Sequence, residues 1–176
     1  MNIHIYPSTF ANESRILKIV RSLTGHAVFE RVMVLALWKE GLPRHEVLGD
    51  GIEVLRVAPL IGGSMAGLPG RLLKAVGWYL GVLWTLRGLK VHCFNCHSLP
   101  VLPLSVIVKF WKRCVLVYDP HELETETAGL RGRRQWLMRR LEKALIGRAN
   151  AVCVVCLLYT SDAADERSST DLGGGR

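Results

Sequence analysis

Short alternating or β-branched runs and longer runs with apolar residues three and four apart follow one another along most of this chain. Ile3 and Ile5 make a first strand pattern that stops at Pro7. Ile16, Leu17, Ile19, Val20 and Leu23 then fall at helical spacing behind Asn12, a good cap residue, with Glu13 in the first turn. Residues 28–38 form a long apolar run that reads as a second strand, and Ile52, Val54 and Val57 read as a third after the turn signal "GDG". Residues 62–70 read as loop and 72–86 as helix. A fourth strand is expected over 91–96, a helix over 104–111, a fifth strand over 114–118, a basic helix over 134–146 and a sixth strand from Ala151. Strands alternating with helices predict an α/β fold, a Rossmann-like doubly wound and mostly parallel sheet of about six strands with right-handed crossovers.

The pattern fails after Tyr159. From Cys156 the text reads "CLLYTSDAADERSSTDLGGGR", polar and ending in glycines. Its first eleven letters resemble transposon-end adapter DNA translated in one frame. Residues 1–155 are therefore expected to form one domain and 156–176 a non-native, unpacked tail, with the natural sequence running out near Val155 and the complete protein longer.

A chain of 176 residues, 49% of them hydrophobic, is long enough to bury one sizeable core. Its five cysteines form no regular framework, and the strand-like start lacks a basic leader, so a reducing, cytoplasmic setting is expected. The formal net charge is +8. The tail carries Asp162, Asp165, Glu166 and Asp171 against two arginines, so the remainder is more basic than the whole.

In doubly wound sheets the ligand crevice lies beyond the carboxyl ends of the strands where strand order reverses, commonly between the first and fourth strands. Three loops should meet there: "PSTFANESR" after the first strand, "NCHSLP" after the fourth and "DPHELETE" after the fifth. The first has no glycine, which argues against a dinucleotide fingerprint. "GGSMAGLPG" lacks the Lys and Ser/Thr of a phosphate loop.

The third loop is the richest in acid–base chemistry. His121 can donate or accept near neutral pH, and Asp119 and Glu122 can accept hydrogen bonds from hydroxyl groups. The same residues also fit a structural reading, with acids favoured by a helix dipole and His121 making a loop bond. Asn12, Glu13, Ser14 and Arg15 could bind an anionic or hydroxyl-rich ligand at a helix start, although capping explains the first two equally well. His97 reads as a structural histidine.

The pairs Cys93/Cys96 and Cys153/Cys156 have zinc-like spacing, but residues three apart on a strand face opposite ways, so buried thiols and no metal site are expected. On the basic helix, Leu137, Leu141, Ala144 and Leu145 would be buried and the arginines solvated. Those arginines, and Trp78, Tyr79 and Trp84 on the 72–86 helix, could also meet an anionic membrane surface.

"IYPSTFANESRILKIVRSL", "VMVLALWKEGLP", "GIEVLRV" and above all "VYDPHELETE" resemble the N-terminal domain of family-4-like glycosyltransferases, retaining enzymes of the two-domain GT-B fold. The resemblance covers roughly residues 1–155. It implies an acceptor-side domain of a hexosyltransferase-type enzyme that moves sugar from a nucleotide-sugar to a glycan or lipid-linked acceptor. The donor is a substrate bound mainly by a second domain absent from this sequence, so no cofactor is expected and the fragment alone should be inactive. His121 is implied as the catalytic group, with Asp119, Glu122, Asn12, Glu13, Ser14, Arg15 and His97 around the sugar or acceptor. "STFANESR" stands where many relatives carry a Gly-Gly loop, so donor-phosphate contacts do not carry over to that loop. The rival reading is a basic, non-catalytic interaction or nucleic-acid-binding domain, although no nucleic-acid signature accompanies the charge.

Overall fold

A computed structural model describes residues 1–11, 13–49, 51–61, 67–120 and 132–153. The elements run β1 (Asn2–Ile5), α1 (Ser14–Gly25), β2 (Val32–Leu37), β3 (His45–Gly49), β4 (Ile52–Val57), α2 (Gly67–Leu86), β5 (Cys93–Cys96), a 3₁₀ turn (Leu99–Val101), α3 (Leu102–Lys112), β6 (Val115–Tyr118), α4 (Arg133–Ile146) and β7 (Ala151–Val152). They build one seven-stranded sheet in the order β3-β4-β2-β1-β5-β6-β7. Every pairing is parallel except β3 with β4. The α/β class and the mostly parallel sheet expected from the sequence are therefore present.

The strand beyond the expected six is β3. Its sequence, HEVLG, carries little apolar signal and its burial alternates only between half-buried and exposed. What makes it a strand is antiparallel pairing with β4 through a turn at Gly49 and Gly51, whose φ values of 129° and 77° suit glycine.

Because the other strands run parallel, the sheet is covered on both sides and neither face of a central strand meets water. On one side Ile3, Ile5, Leu35, Phe94, Leu116 and Tyr118 pack with α2 and α3, and α4 adds Met138, Leu145 and Ile146. On the other side Ile16 and Val20 of α1 pack on Val32, Val34, Ile52 and Val54. Alternation along β1 and β5 turns Asn2, His4 and Asn95 toward the α1 side. There Asn95 Nδ2 donates to Asn2 Oδ1 and to the Ile3 carbonyl.

Helix α2 seats unusually deep. The Leu60 amide donates to the Gly77 carbonyl at 2.9 Å, and a Cβ on Gly77 would collide with the Ile61 backbone, one on Gly81 with the Ala58 carbonyl and Val57. Only glycine permits that approach.

Three local expectations need correction. Residues 67–70 belong to α2, not to the preceding loop. Helix α1 begins at Ser14 with Glu13 at the cap position and no side-chain capping bond, while Asn12 lies outside the described residues. On α4 Leu145 faces inward as expected, but two of the four expected residues do not and two unexpected ones do. Leu137 and Ala144 are exposed, whereas Met138, Leu145 and Ile146 face the core. Glu142 is held by Tyr118, whose hydroxyl donates to Glu142 Oε1 at 2.9 Å. No described helix is long and apolar enough to cross a membrane.

Candidate functional site

Parallel pairing of β1 with both β2 and β5 places the reversal of strand order between β1 and β5. At the carboxyl ends there, Asp119 follows β6 directly and donates its backbone N–H to the Cys96 carbonyl at 2.8 Å. His97 follows β5 directly and donates its N–H to the Ile5 carbonyl at 3.2 Å. The strand ends alone therefore bring an acid and an imidazole together.

Their side chains form a continuous polar chain. Arg15, in the first turn of α1, donates from Nη2 to Asp119 Oδ1 at 2.7 Å. The other carboxylate oxygen, Oδ2, lies 3.2 Å from His97 Nδ1. His97 Nε2 lies 2.8 Å from His4 Nδ1, and the two rings are nearly parallel, 10° apart. Asp119, His97 and His4 are all buried.

The hydrogens follow from satisfaction of buried groups. His97 donates Nδ1–H to the carboxylate, and His4 donates Nδ1–H to His97 Nε2. That leaves His4 Nε2, for which the described residues offer no partner, as a bare lone pair and not an orphaned N–H, which is the cheaper of the two. Burial pushes the His4 pKa well below its usual 6.5, the facing His97 pushes the same way, and Asp119 opposes both.

This lowering has a sign for stability. The unfolded chain binds a proton on His4 that the folded chain refuses, so the stabilisation is complete above pH 6.5 and is lost as pH falls from there toward the folded value. Between those limits the fold is expected to lose up to about 1.4 kcal/mol per pH unit from this group. Denaturant midpoints measured from pH 7 to 4.5 on the wild type and on His4→Gln check this. The variant should show the shallower decline, and superimposable profiles would refute the assignment.

A buried cation grips the loop that leads from β1 into α1. Arg56, in β4, donates Nε to the Thr9 carbonyl at 2.9 Å, Nη1 to the Pro43 carbonyl at 3.0 Å and Nη2 to the Phe10 carbonyl at 3.4 Å. Its guanidinium also pairs with Glu46 at 2.8 Å. The loop from β1 to α1 is thus gripped at a point where Phe10 holds a left-handed φ of 54°.

Of the residues expected in the site, Arg15, Asp119 and His97 meet. Glu13 and Ser14 sit apart, lining a shallow groove with Phe10, Ala11, Leu17 and Glu46. Asn12, His121 and Glu122 lie outside the described residues. Two participants escaped the sequence reading, His4 and Arg56. The available signal for His4 was a histidine between Ile3 and Ile5 in a strand destined for the middle of a doubly covered sheet, where it has to be buried. Among the cysteines, Cys96 lies in the core while Cys93 faces the other side and accepts from Asn95 Nδ2. Among the described residues no group of His, Cys, Asp and Glu is arranged to hold a metal ion.

No curated protein sequence matches the chain. Solved structures do. A structure of sucrose-phosphate synthase from Thermosynechococcus elongatus superposes with a TM-score of 0.65 at 10% identity, covering 91% of this chain and 78% of that one. A second structure of that enzyme gives 0.66 at 11% identity, covering 94% of this chain and 44% of that one. Likeness at such low identity establishes the fold. The model of the glycosyl transferase 4-like domain matches residues 13–167, and by that match the chain belongs to the glycosyl transferase 4-like domain family.

Proposed function

We propose that this chain is the acceptor-side half of a retaining, hexosyltransferase-type enzyme that moves a sugar from a nucleotide-sugar to a glycan or lipid-linked acceptor. The observation that carries this reading is the Arg15–Asp119–His97–His4 chain at the strand-order reversal of a glycosyl transferase 4-like domain. Such a chain fixes the carboxylate between a cation and an imidazole, so the segment that leaves β6 starts from a rigid point. His121 comes two residues later. On this reading it hydrogen-bonds the transferred sugar, Glu122 meets sugar hydroxyls, and the groove at Glu13 and Ser14 receives part of the acceptor.

The nucleotide-sugar is a substrate and no separate cofactor is invoked. The chain spans 44% of one of its structural neighbours, which supports a second, donor-binding wall to the crevice. Holding both reactants across a closed crevice contributes on the order of 7–11 kcal/mol at best. The expected result is that the purified chain shows no nucleotide-sugar-dependent transfer, while the gene product carrying both walls does. Transfer by the chain alone would overturn the half-site reading, and absence of transfer by the longer product would overturn the enzyme class. The setting that goes with this function is the cytoplasm, at the inner face of the membrane.

A further inference from the structure

From Val57 to Tyr118 the sequence contains no aspartate or glutamate, yet it carries Arg71, Lys74, Arg87, Lys90, Lys109, Lys112 and Arg113. This span holds α2 and α3, which pack on the same face of the sheet. Both helices leave large apolar side chains in water. On α2 these are Leu72, Val76, Leu80 and Trp84, a stripe at spacing four along the whole helix, with Leu72 65% and Trp84 59% exposed. On α3 they are Ile107, Phe110 and Trp111.

The aromatic members are each partnered by a cation. Arg87 lies over the Trp84 ring at 3.7 Å, Lys112 over Trp111 at 4.3 Å, and Arg148, just past α4, over Phe110 at 5.9 Å. The backbone joins these pairs into one surface. Lys112 Nζ donates to the Arg87 and Leu89 carbonyls, binding the end of α3 to the end of α2. Lys109 Nζ donates to the Arg148 carbonyl, binding α3 to the end of α4.

We infer that this face of α2 and α3, with Arg148, is a docking surface for an anionic lipid bilayer. The headgroup layer satisfies both halves of each pair at once, with the ring and aliphatic stem in the acyl boundary and the cation among phosphates. A nucleic acid would take up the cations but give Leu72, Val76, Leu80 and Ile107 nothing to bury against. The surface differs from the arginine-rich face of α4 that composition alone points to. Because the apolar stripe follows α2 along its length, the domain would lie on its helical layer, with the crevice opening sideways along the membrane.

This inference rests on the inner-membrane setting proposed above and is independent of sugar transfer, so the two fail separately. The chain is mixed with phosphatidylcholine vesicles containing about 30 mol% phosphatidylglycerol or none, and with a random DNA duplex, and bound fractions are measured by flotation and tryptophan fluorescence. Anionic vesicles should bind and shift the fluorescence to the blue, with affinity falling on the order of tenfold or more on neutral vesicles or at high salt. The variant Trp84→Ser/Phe110→Ser/Trp111→Ser, all exposed positions, should keep its circular dichroism and lose on the order of tenfold in vesicle affinity. Arg87→Glu/Arg113→Glu should remove the preference for anionic lipid. No vesicle binding, vesicle binding unaltered in the triple variant, or DNA binding stronger than vesicle binding would each overturn the inference. Transfer by the longer gene product to a soluble acceptor would be unaffected by any of these outcomes.

Discussion

Replacing Arg56 with alanine should destabilise the domain by roughly 2–5 kcal/mol, a large share of the 5–15 kcal/mol by which a typical domain is stable. Three carbonyls, of Thr9, Phe10 and Pro43, lose a charged donor together. Glu46 contributes less to the loss, because its side chain is 38% exposed and can be rehydrated. The left-handed Phe10 makes the effect local as well as global. A non-glycine residue in that region is held only by its surroundings, at about 1–2 kcal/mol. Without the guanidinium the loop is free to relax, and the start of α1 with Arg15 moves with it. Arg56→Lys keeps the charge but offers a single donor centre to carbonyls lying in different directions, so it should recover only part of the loss. Urea midpoints for the three proteins check the order, and a change below about 1 kcal/mol for Arg56→Ala would show that solvent replaces the guanidinium without difficulty.

On the proposed function, His121→Ala in a full-length protein should lower turnover by roughly 10²–10⁴-fold while leaving the melting temperature nearly unchanged, the range expected for a positioned proton-transfer group. The argument is one of position. Asp119 is engaged by Arg15 through one oxygen and by His97 through the other, and His97 in turn by His4. On the proposed reading these groups hold the end of β6, and the histidine two places on in the sequence profits from that fixed end. On that reading His121 serves the sugar and not the core, so stability should be spared. A purely structural His121 predicts the reverse order, a lowered melting temperature with near-normal turnover in the folded protein. Measuring both quantities on a full-length protein with the sequence YDPHE separates the two, and near-wild-type turnover would remove His121 from the site.

The sequence displayed the skeleton of this fold because its strands are buried on both faces and its first helix on one, and those two periods differ. It also placed the reversal of strand order, since β1 does lie between β2 and β5. What stayed hidden depends on partners and not on period. HEVLG becomes β3 only because β4 is there to pair with. Arg56 sits in an alternating strand where Val54 and Val57 advertise the core, and nothing nearby shows that loop carbonyls will surround it. His4 and His97 are 93 residues apart, so their contact exists only once the strand order is known. On α4 Met138 and Ile146 turn inward beside a Glu142 that meets the Tyr118 hydroxyl, contacts that a leucine count does not contain.

Strand order has a further consequence, for the chain as it is being made. β1 can pair with β2 early, but its other neighbour, β5, is about ninety residues downstream of it. At translation speeds of about 5–20 residues per second, β1 waits roughly 5–20 s with one row of amides and carbonyls bare. The innermost strand of the finished sheet is thus a temporary edge strand during synthesis. Edges of that kind invite pairing with other nascent chains unless polar side chains break up their apolar surface. Asn2 and His4 do that for β1, and when β5 arrives carrying Asn95, with His97 immediately behind it, the same two side chains become its partners. Of these two side chains His4 has a second part to play, since it also ends the polar chain at the site.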